Sequence, residues 1–249
     1  MTGEAAFFDL DKTLISLSST LAFSRPFYER GLISRAAMLR GLFAQAVFQR
    51  AGAGQLQMGR IRSQASRLCR GWPVEGVREI VRDNLETIIV PHLYDEARAL
   101  VAEHHAAGRD VIVVSASGHE VVDPIGALLG ADTVIATQMM VADGLYTGDV
   151  AFYAFGEAKA AKIHELAAGR GYDLADCYAY SDSITDLPML TAVGHPAAVN
   201  PDRALRREAV RRGWPILVFT AEPYRQAGGA ARPAGGTPSP GAEPPVHGM

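Results

Sequence analysis

Three short apolar segments of this sequence each end in a cluster of acidic or hydroxyl side chains. The clusters are Asp9, Asp11 and Thr13; Ser115 and Ser117; and Ser181, Asp182, Ser183 and Asp186. Short apolar runs that are bounded by polar residues indicate buried strands. Helical periodicity fills the stretches between them, so strands alternate with helices. This alternation predicts an α/β fold in which an open parallel sheet carries helices on both faces.

Turn and helix signals along the chain support this prediction. Pro73 marks the start of one predicted helix, and Gly108 marks the end of another that covers residues 94–107. On that second helix, His104 and His105 are expected to face solvent. The dipeptide Asp143-Gly144 joins two further strand-like segments and therefore predicts a hairpin.

The three polar clusters are expected to form one site. Ligands of open parallel sheets bind outside the carboxyl ends of the strands, where the clusters would meet. Asp9 and Asp11 are two residues apart, and residues at that spacing in a strand point to the same side. Carboxylates that lie so close repel each other unless a cation or a shared proton relieves the repulsion. Mg²⁺ prefers oxygen ligands, so the clusters predict a magnesium site.

The second cluster and a lysine predict a phosphate site beside the metal. Small hydroxyls and backbone N–H groups from Ser115 to Gly118 would lie at a helix N-terminus, where anions bind. Lys159, near the start of its predicted helix, would add a positive charge. The sequence has no GxxxxGK[ST] loop and no GxGxxG after a strand, which argues against nucleotide binding.

The charge is distributed unevenly along the 249 residues. Net charge is −3, but residues 30–70 hold eight arginines without any lysine, aspartate or glutamate. Such a segment favours an anionic partner, or its arginines lie on solvated helix faces, and the sequence leaves both open. Basic and aromatic residues are not interleaved as in single-strand binders. We therefore expect no nucleic acid partner, while contact with an anionic membrane surface stays an alternative.

The cysteines and the N-terminus indicate a compartment. Cys69 and Cys177 give neither a disulfide framework nor a CxxC metal pair, which favours reducing surroundings. The segment MTGEAAFFDL lacks the basic and long apolar regions of a signal peptide, and no run of about 18 uncharged apolar residues occurs. We expect a cytoplasmic protein, and the sequence does not define its oligomeric state.

Four motifs in order resemble those of the haloacid dehalogenase superfamily. DLDKT resembles the first motif, VVSAS the second, GEAK the third and SDSITD the fourth. Order and spacing are similar to the phosphoserine-phosphatase-like branch, subfamily IB. The resemblance implies a Rossmann-like core, here residues 1–16 and 96–222, with an inserted helical cap over residues 17–95. Residues 226–249 contain six Gly and five Pro, a composition that predicts a disordered tail.

The resemblance also implies catalytic and metal-binding roles. Asp9 would be the nucleophile that forms an aspartyl-phosphate. Asp11 would protonate the leaving group and then act as the base for water. Mg²⁺ would be held by the Asp9 carboxylate, the Asp11 backbone carbonyl and Asp182.

Phosphate binding follows from the same resemblance. Thr13, Ser115 and Lys159 would hold the phosphoryl group, and Asp186 would position Lys159 or a metal-bound water. Neighbouring motif residues expected to line or support the phosphate site are Ser117, Gly118, Ser181 and Ser183.

The expected substrate pocket departs from that of phosphoserine phosphatases. Those enzymes carry a glutamate shortly after the first motif that meets the substrate ammonium, and Ser18 occupies that position here. The nearest counterparts of their cap arginine are Arg62 and Arg67. For His119, two residues after the second motif, the sequence leaves open a place in the substrate pocket or on the helix surface. Phosphoserine is therefore not the favoured substrate.

Together these features predict a Mg²⁺-dependent phosphomonoester hydrolase. Its partner would be a small phosphorylated substrate, either a metabolite or a lipid-like phosphate. Two alternatives stay open. One is a phosphotransferase or mutase that uses the same aspartyl-phosphate. The other is a module that docks on an anionic membrane through the arginine-rich segment.

Overall fold

The computed structural model describes residues 3–34, 36 and 66–220. The strands are β1 (Ala5–Phe8), β2 (Asp110–Gly118), β3 (Thr133–Ala142), β4 (Leu145–Phe152), β5 (Tyr178–Ser181), β6 (His195–Val199) and β7 (Ile216–Leu217). The helices are α1 (Ser19–Ala22), α2 (Ser24–Glu29), α3 (Val74–Ile88), α4 (Asp95–Ala106), α5 (His119–Leu129), α6 (Glu157–Arg170), α7 (Leu187–Thr191) and α8 (Arg203–Arg212). Short 3-10 turns lie at Val90–His92 and Ile184–Asp186.

Within these ranges the strands form a sheet in the order β4-β3-β2-β1-β5-β6-β7. The pairs from β3 through β7 are parallel, and β4 joins the edge antiparallel to β3. The first strand of the chain therefore lies at the centre, with β2 and β5 as its neighbours. This arrangement confirms the predicted α/β fold with a mostly parallel sheet.

Both faces of the sheet are covered, as β1 shows. All four of its residues are buried, and successive side chains point to opposite faces. Ala6 and Phe8 belong to one apolar core together with residues of α3, α4 and α5. Ala5 and Phe7 belong to the other, which includes residues of α6, α7 and α8. Burial on both sides explains why β1 is apolar throughout instead of alternating.

The predicted hairpin is confirmed. Ala142 pairs with Leu145 across the turn. Both turn residues have positive φ, 51° for Asp143 and 76° for Gly144. Those angles give the turn the twist that matches two antiparallel strands, and Asp-Gly adopts them at little cost.

The prediction that His104 faces solvent is wrong, whereas His105 is exposed as expected. His104 is buried against the sheet, where its Nε2 lies 2.9 Å from the Tyr180 hydroxyl and its ring meets the edge of Phe8. Burial lowers the pKa of His104 to about 4, so the imidazole is neutral near pH 7. A single polar residue on a helix does not reveal a polar partner on a distant strand.

The chain enters and leaves the 17–95 segment at one place. Ile15 forms a bridge with Leu93, Ser16 N–H donates to the His92 carbonyl at 2.8 Å, and Tyr94 N–H donates to the Leu14 carbonyl at 3.1 Å. Most of the arginine-rich segment, including Arg62, lies outside the described residues, as do residues 226–249. The cap and tail boundaries therefore stay predictions. Among the described helices, none is long and apolar enough to cross a membrane.

Gly194 supports a stability prediction, because it lies directly against the backbone of Ala175. A Cβ at Gly194 would lie 1.7 Å from the Ala175 carbonyl oxygen. We expect Gly194→Ala to lower the free energy of unfolding by about 3 kcal/mol or more, as measured by urea denaturation.

The matched control is Gly169→Ala within α6, where the added Cβ would meet no described atom within 4 Å other than those of its chain neighbours and its own helix backbone. It should raise the free energy of unfolding by up to about 1 kcal/mol, because alanine loses less backbone entropy than glycine in a helix. Equal effects of the two substitutions would contradict the close approach at Gly194.

Candidate active site

The sheet order brings the three polar clusters together. Asp9 follows β1 directly, Ser115 lies near the carboxyl end of β2, and Asp182 follows β5 directly. Because β2, β1 and β5 are parallel neighbours, these ends share one edge of the sheet. Thus the structure gathers the residues that the sequence singled out from positions far apart in the chain.

A buried ammonium group connects two of the clusters. Lys159 Nζ donates to Asp9 Oδ1 at 2.7 Å and to Asp186 Oδ2 at 2.9 Å. Lys159 is only 2% exposed. It lies in the first turn of α6, which begins after Gly156 with φ 56° and ψ −125°, angles that a residue with a side chain rarely adopts. Gly156 thus permits the chain direction that leads the lysine into the site.

Asp186 has a second partner of its own. Ser181 Oγ donates to Asp186 Oδ2 at 2.8 Å, and the Ser183 N–H donates to Ser181 Oγ at 3.2 Å. Asp202 accepts from the Ile184 N–H at 3.0 Å. Hydrogen bonds to Ser181 and to Asp202 therefore hold the turn after β5, and this fixes the Asp186 carboxylate that Lys159 contacts.

Asp11 is surrounded by hydroxyl and backbone donors rather than by a cation. Its Oδ1 accepts from the Ser19 N–H at 2.9 Å, and its Oδ2 lies 3.4 Å from the Ser117 hydroxyl, which donates to it. Burial raises the pKa of Asp11, and hydrogen bonds from Ser19 and Ser18 partly oppose that rise. A carboxyl group in such surroundings holds a proton more readily than an exposed aspartate does.

The loop between the two aspartates and Thr13 is strained. Lys12 has φ 63°, a left-handed conformation that costs a residue with a side chain roughly 1–2 kcal/mol. The next residue, Thr13, is fully buried, and its hydroxyl has no hydrogen-bond partner among the described residues. A buried donor is rarely left unpaired, so this hydroxyl is suited to a bound ligand.

The carboxylates at the site exceed the cations that balance them. Burial, opposed in part by Lys159, raises the pKa of Asp9 to about 7, and the charges of Asp186 and Asp11 add to the rise. Burial and the charge of Asp9 raise the pKa of Asp182 to about 8. Within the described ranges no ion pair involves Asp182. This surplus of negative charge is what a bound divalent cation would relieve.

The donor set fits a magnesium ion. Asp9 and Asp182 offer carboxylate oxygens, and hard cations such as Mg²⁺ take oxygen ligands and keep several waters. No group of three or more His, Cys, Asp and Glu residues suited to a metal ion was found in the described part of the chain. Two carboxylates and a backbone carbonyl, the set implied by the family resemblance, leave the remaining positions to water and substrate.

The remaining predicted residues lie in different places. Gly118 precedes α5, and His119 is its first residue, with a buried Nδ1 that has no partner in the described structure. Ser183 Oγ contacts Thr185 and Asp202 and so supports the turn. Arg67 is exposed, and no contact described here links it to the site. Their functional roles stay predictions.

Two residues that the sequence analysis did not single out are hydrogen-bonded to Ser117. Ser19 Oγ donates to Ser117 Oγ at 2.8 Å, and Thr20 Oγ1 donates to the same atom at 2.9 Å. The run Ser18-Ser19-Thr20 is a visible concentration of hydroxyls. Nothing in it indicates, however, that helix α1 turns these side chains back towards the ends of β1 and β2.

Comparisons with known proteins identify the family of this chain. The profile of the haloacid dehalogenase-like hydrolase family matches residues 6–191. The "Inhibition of morphological differentiation protein" of Streptomyces azureus is 62% identical over 216 residues, covering 86% of this chain and 78% of that protein. A "Probable phosphatase" of Mycobacterium tuberculosis is 57% identical over 216 residues, and the matched region covers 87% of this chain and 75% of that protein. The chain belongs to the haloacid dehalogenase-like hydrolase family.

More distant relatives include a named phosphatase and a solved structure of the same fold. A "Histidinol-phosphatase" of Neisseria meningitidis serogroup C is 33% identical over 220 residues, covering 86% of this chain and 98% of that protein. A crystal structure of a Bordetella pertussis protein with unknown function is 31% identical and has a TM-score of 0.74, covering 87% of this chain and 99% of that one. This chain is therefore an enzyme of the phosphatase type within the family, as the motif order predicted.

The buried lysine supports a prediction about stability. Lys159→Met removes the partner of two buried carboxylates and should lower the free energy of unfolding of the metal-free protein by about 3–5 kcal/mol at alkaline pH. The pKa of Asp9 in the fold is about 7, above its ordinary value. Below that pH Asp9 is protonated and uncharged, so the loss of its ion pair with Lys159 costs less stability. The loss should therefore be smaller near pH 5 and grow as pH rises through about 7.

The control for this measurement is Lys162→Met, one turn further along α6. Lys162 pairs with Glu165 at the surface, and exposed pairs contribute only about 0–1 kcal/mol. Chemical denaturation at several pH values separates the two variants. A loss in Lys159→Met that does not depend on pH would contradict the pairing with Asp9.

Proposed function

We propose that this protein is a Mg²⁺-dependent phosphomonoester hydrolase that acts through an aspartyl-phosphate on Asp9. The observation that carries the proposal is the pair of carboxylates at the end of β1 with contrasting partners. Asp9 is bonded to the Lys159 ammonium, whereas Asp11 is bonded to the Ser19 N–H and to Ser117. Two carboxyl groups in different surroundings can act as nucleophile and as proton donor at the same pH.

Asp9 is suited to nucleophilic attack. Lys159 holds its Oδ1 at 2.7 Å, which favours the ionised form and fixes the orientation of the carboxylate. The attack forms a bond between an Asp9 oxygen and phosphorus while the bond to the leaving-group oxygen breaks. Mg²⁺ bound by Asp9, Asp182 and the Asp11 carbonyl would offset repulsion between the anionic nucleophile and the phosphoryl group.

Asp11 is suited to general acid–base catalysis. Its raised pKa favours a protonated carboxyl, which donates to the leaving-group oxygen as that oxygen gains charge. The resulting carboxylate then accepts a proton from the water that attacks the aspartyl-phosphate. Among the hydrogen bonds and ion pairs of the described residues, none joins the Asp11 carboxylate to a cationic side chain. No ion pair therefore favours the ionised form of Asp11 over the protonated form.

The phosphoryl group would be held by Thr13, Ser115 and Lys159. The unpaired buried hydroxyl of Thr13 and the buried Ser115 lie at the ends of adjacent strands. Lys159 supplies the positive charge. Phosphoryl transfer requires chiefly positioning and charge stabilisation. These groups, together with Mg²⁺, can provide both.

The 17–95 segment is proposed to be a cap over this site. Its two ends are joined by the backbone hydrogen bonds at residues 14–16 and 92–94, an arrangement suited to an inserted domain on a double-stranded connection. Helix α3 within it packs into the same apolar core as α5. The cap would decide the substrate, for which we propose a small phosphorylated metabolite or a lipid-like phosphate. Phosphoserine is not favoured, because Ser18, which hydrogen-bonds to Asp11, occupies the position where phosphoserine phosphatases carry a glutamate.

The first functional prediction concerns the nucleophile. Asp9→Asn should lower Mg²⁺-dependent phosphate release by at least about 10³-fold, because the amide cannot form the covalent intermediate. The measurement is phosphate release from phosphoserine, histidinol phosphate, sugar phosphates, glycerol phosphates and lysophosphatidate, with and without Mg²⁺. The control is Asp176→Asn, at an exposed aspartate before β5, which should match the wild type.

Undiminished activity of Asp9→Asn would exclude the proposed nucleophile. Formation of a new phosphate ester from an added acceptor alcohol, without release of inorganic phosphate, would instead support a phosphotransferase. Thermal unfolding of each variant confirms that the fold is intact.

The second prediction concerns the metal site and does not require activity. Asp182 has a pKa of about 8 in the fold, so its carboxylate costs stability as pH rises from the ordinary value towards 8. In metal-free protein at alkaline pH, Asp182→Asn should therefore raise Tm by a few degrees. Mg²⁺ should raise the Tm of the wild type but have little effect on this variant.

The pH dependence separates this effect from a general gain in stability. Near pH 5, where Asp182 is protonated in the fold and less of this cost has accumulated, the gain in Tm from Asp182→Asn should be clearly smaller than at alkaline pH. A gain in Tm of equal size at both pH values, or an unchanged response to Mg²⁺, would argue against a cation on Asp182.

A further inference from the structure

The turn after β5, which begins with Asp182, is held by a residue that follows β6. The Asp202 N–H donates to the Asp182 carbonyl at 2.7 Å. The carboxylate of the same residue also contacts this turn, since Asp202 Oδ2 accepts from the Ile184 N–H at 3.0 Å and from the Ser183 hydroxyl at 3.4 Å. The backbone and the side chain of Asp202 therefore fix both ends of residues 182–184.

The carboxylate of Asp202 is itself held, because its other oxygen caps helix α8. Oδ1 accepts from the Ala204 N–H at 2.9 Å and from the Leu205 N–H at 2.8 Å, as is typical of an N-cap aspartate. Asp202 is exposed, so its bonds act through geometry more than through the stability they contribute. The start of α8 thus fixes the plane of the carboxylate and keeps Oδ2 at the turn that carries Asp182.

Asn200 fixes the course of the chain two residues before Asp202. Its φ is 44°, in the left-handed region that asparagine adopts more readily than most residues with a side chain. Its amide pairs with the backbone of Phe219 in both directions. The Phe219 N–H donates to Oδ1 at 3.0 Å, and Nδ2 donates to the Phe219 carbonyl at 3.1 Å. The Asn200 N–H donates to the Leu217 carbonyl at 3.0 Å, so the segment 217–220 holds the loop that leads to Asp202.

The same segment also contacts the start of helix α4. The rings of Phe219 and Tyr94 meet edge to face with their centres 5.8 Å apart, and Tyr94 hydrogen-bonds to the Asn200 side chain. Thr220 donates to Glu96 Oε1 from its N–H and from its hydroxyl, both at 2.9 Å. A continuous set of contacts therefore runs from the start of α4 through the loop after β6 to the turn after β5.

We propose that Asp202, held by Asn200, is a positioning residue that orients Asp182 for a divalent cation. The inference rests on the proposed function, in which Asp182 is a metal ligand. Residues that hold a metal-binding side chain in place typically change the metal affinity by about 10–100-fold when they are replaced. Asp202 acts on Mg²⁺ affinity through the conformation of residues 182–184.

The test measures Mg²⁺ binding directly, by isothermal titration calorimetry of metal-free protein. Asp202→Asn keeps the backbone N–H and one oxygen for the cap of α8, since asparagine caps helices about as well as aspartate. It replaces the other oxygen by an NH₂ group, which cannot accept from the Ile184 N–H. The Kd for Mg²⁺ should rise by about 10-fold. The Mg²⁺ concentration for half-maximal phosphate release should rise with it, whereas kcat at saturating Mg²⁺ should change less.

A second variant leaves the charge of the protein unchanged. Asn200→Gly permits the positive φ and removes the bonds from the amide to Phe219 and Tyr94. The Kd for Mg²⁺ should rise by about 3-fold or more. The control is Asp173→Asn, at an exposed aspartate that accepts from the Ala175 N–H at 3.0 Å in a different turn. It loses the same carboxylate and should bind Mg²⁺ as the wild type does.

The outcomes separate this inference from the proposed function. An unchanged Kd for Mg²⁺ in Asp202→Asn or in Asn200→Gly would overturn the inference, even if Tm falls, because the residue would then only support the fold. An equal rise of Kd in Asp173→Asn would overturn it too, since loss of any nearby charge would then suffice. A wild type that binds no Mg²⁺ would overturn the inference together with the proposed metal site. A wild type that binds Mg²⁺ but hydrolyses none of the esters would overturn the proposed function alone.

Discussion

The buried ion pair network of Lys159 is the interaction on which the site depends. One ammonium group contacts carboxylates that follow two different strands, Asp9 at 2.7 Å and Asp186 at 2.9 Å. Burying a charge without a partner costs several kcal/mol, so the lysine and both acids must stay together. The carboxylates of Asp186 and Asp9 raise the pKa of Lys159 above its usual range, against the effect of burial. The ammonium therefore stays charged while it orients the carboxylate of Asp9.

Two aspartates only two residues apart acquire different properties from their neighbours. Asp9 accepts from the ammonium of Lys159, whereas Asp11 accepts from the Ser117 hydroxyl and the Ser19 backbone N–H. The strained Lys12 between them turns the chain so that the two side chains meet different elements. The proposed mechanism needs both an ionised nucleophile and a proton donor, and these two aspartates would supply them from one short loop.

Much of the fold could be predicted because its signals are local. The apolar run of β1 with polar residues behind it, and the Asp143-Gly144 turn, depend on backbone geometry within a few residues. The burial of His104 could not be predicted, because its partners Tyr180 and Phe8 lie on strands that meet its helix only in the tertiary structure. The hydroxyls of Ser19 and Thr20 escaped notice for the same reason, since they act on Ser117, about a hundred residues away.

By itself the sequence determined the α/β class, the positions of the strand ends and the chemical types of the residues that follow them. Residue order and local periodicity are sufficient for that, since strands and helices have distinct periods. Only the tertiary structure decided which groups touch. It placed β1 between β2 and β5 and brought Lys159 to Asp9. It also left the Thr13 hydroxyl without a partner among the described residues and brought the Ser117 hydroxyl to Asp11. Distances of about 3 Å depend on the packing of the whole sheet, which no short stretch of sequence contains.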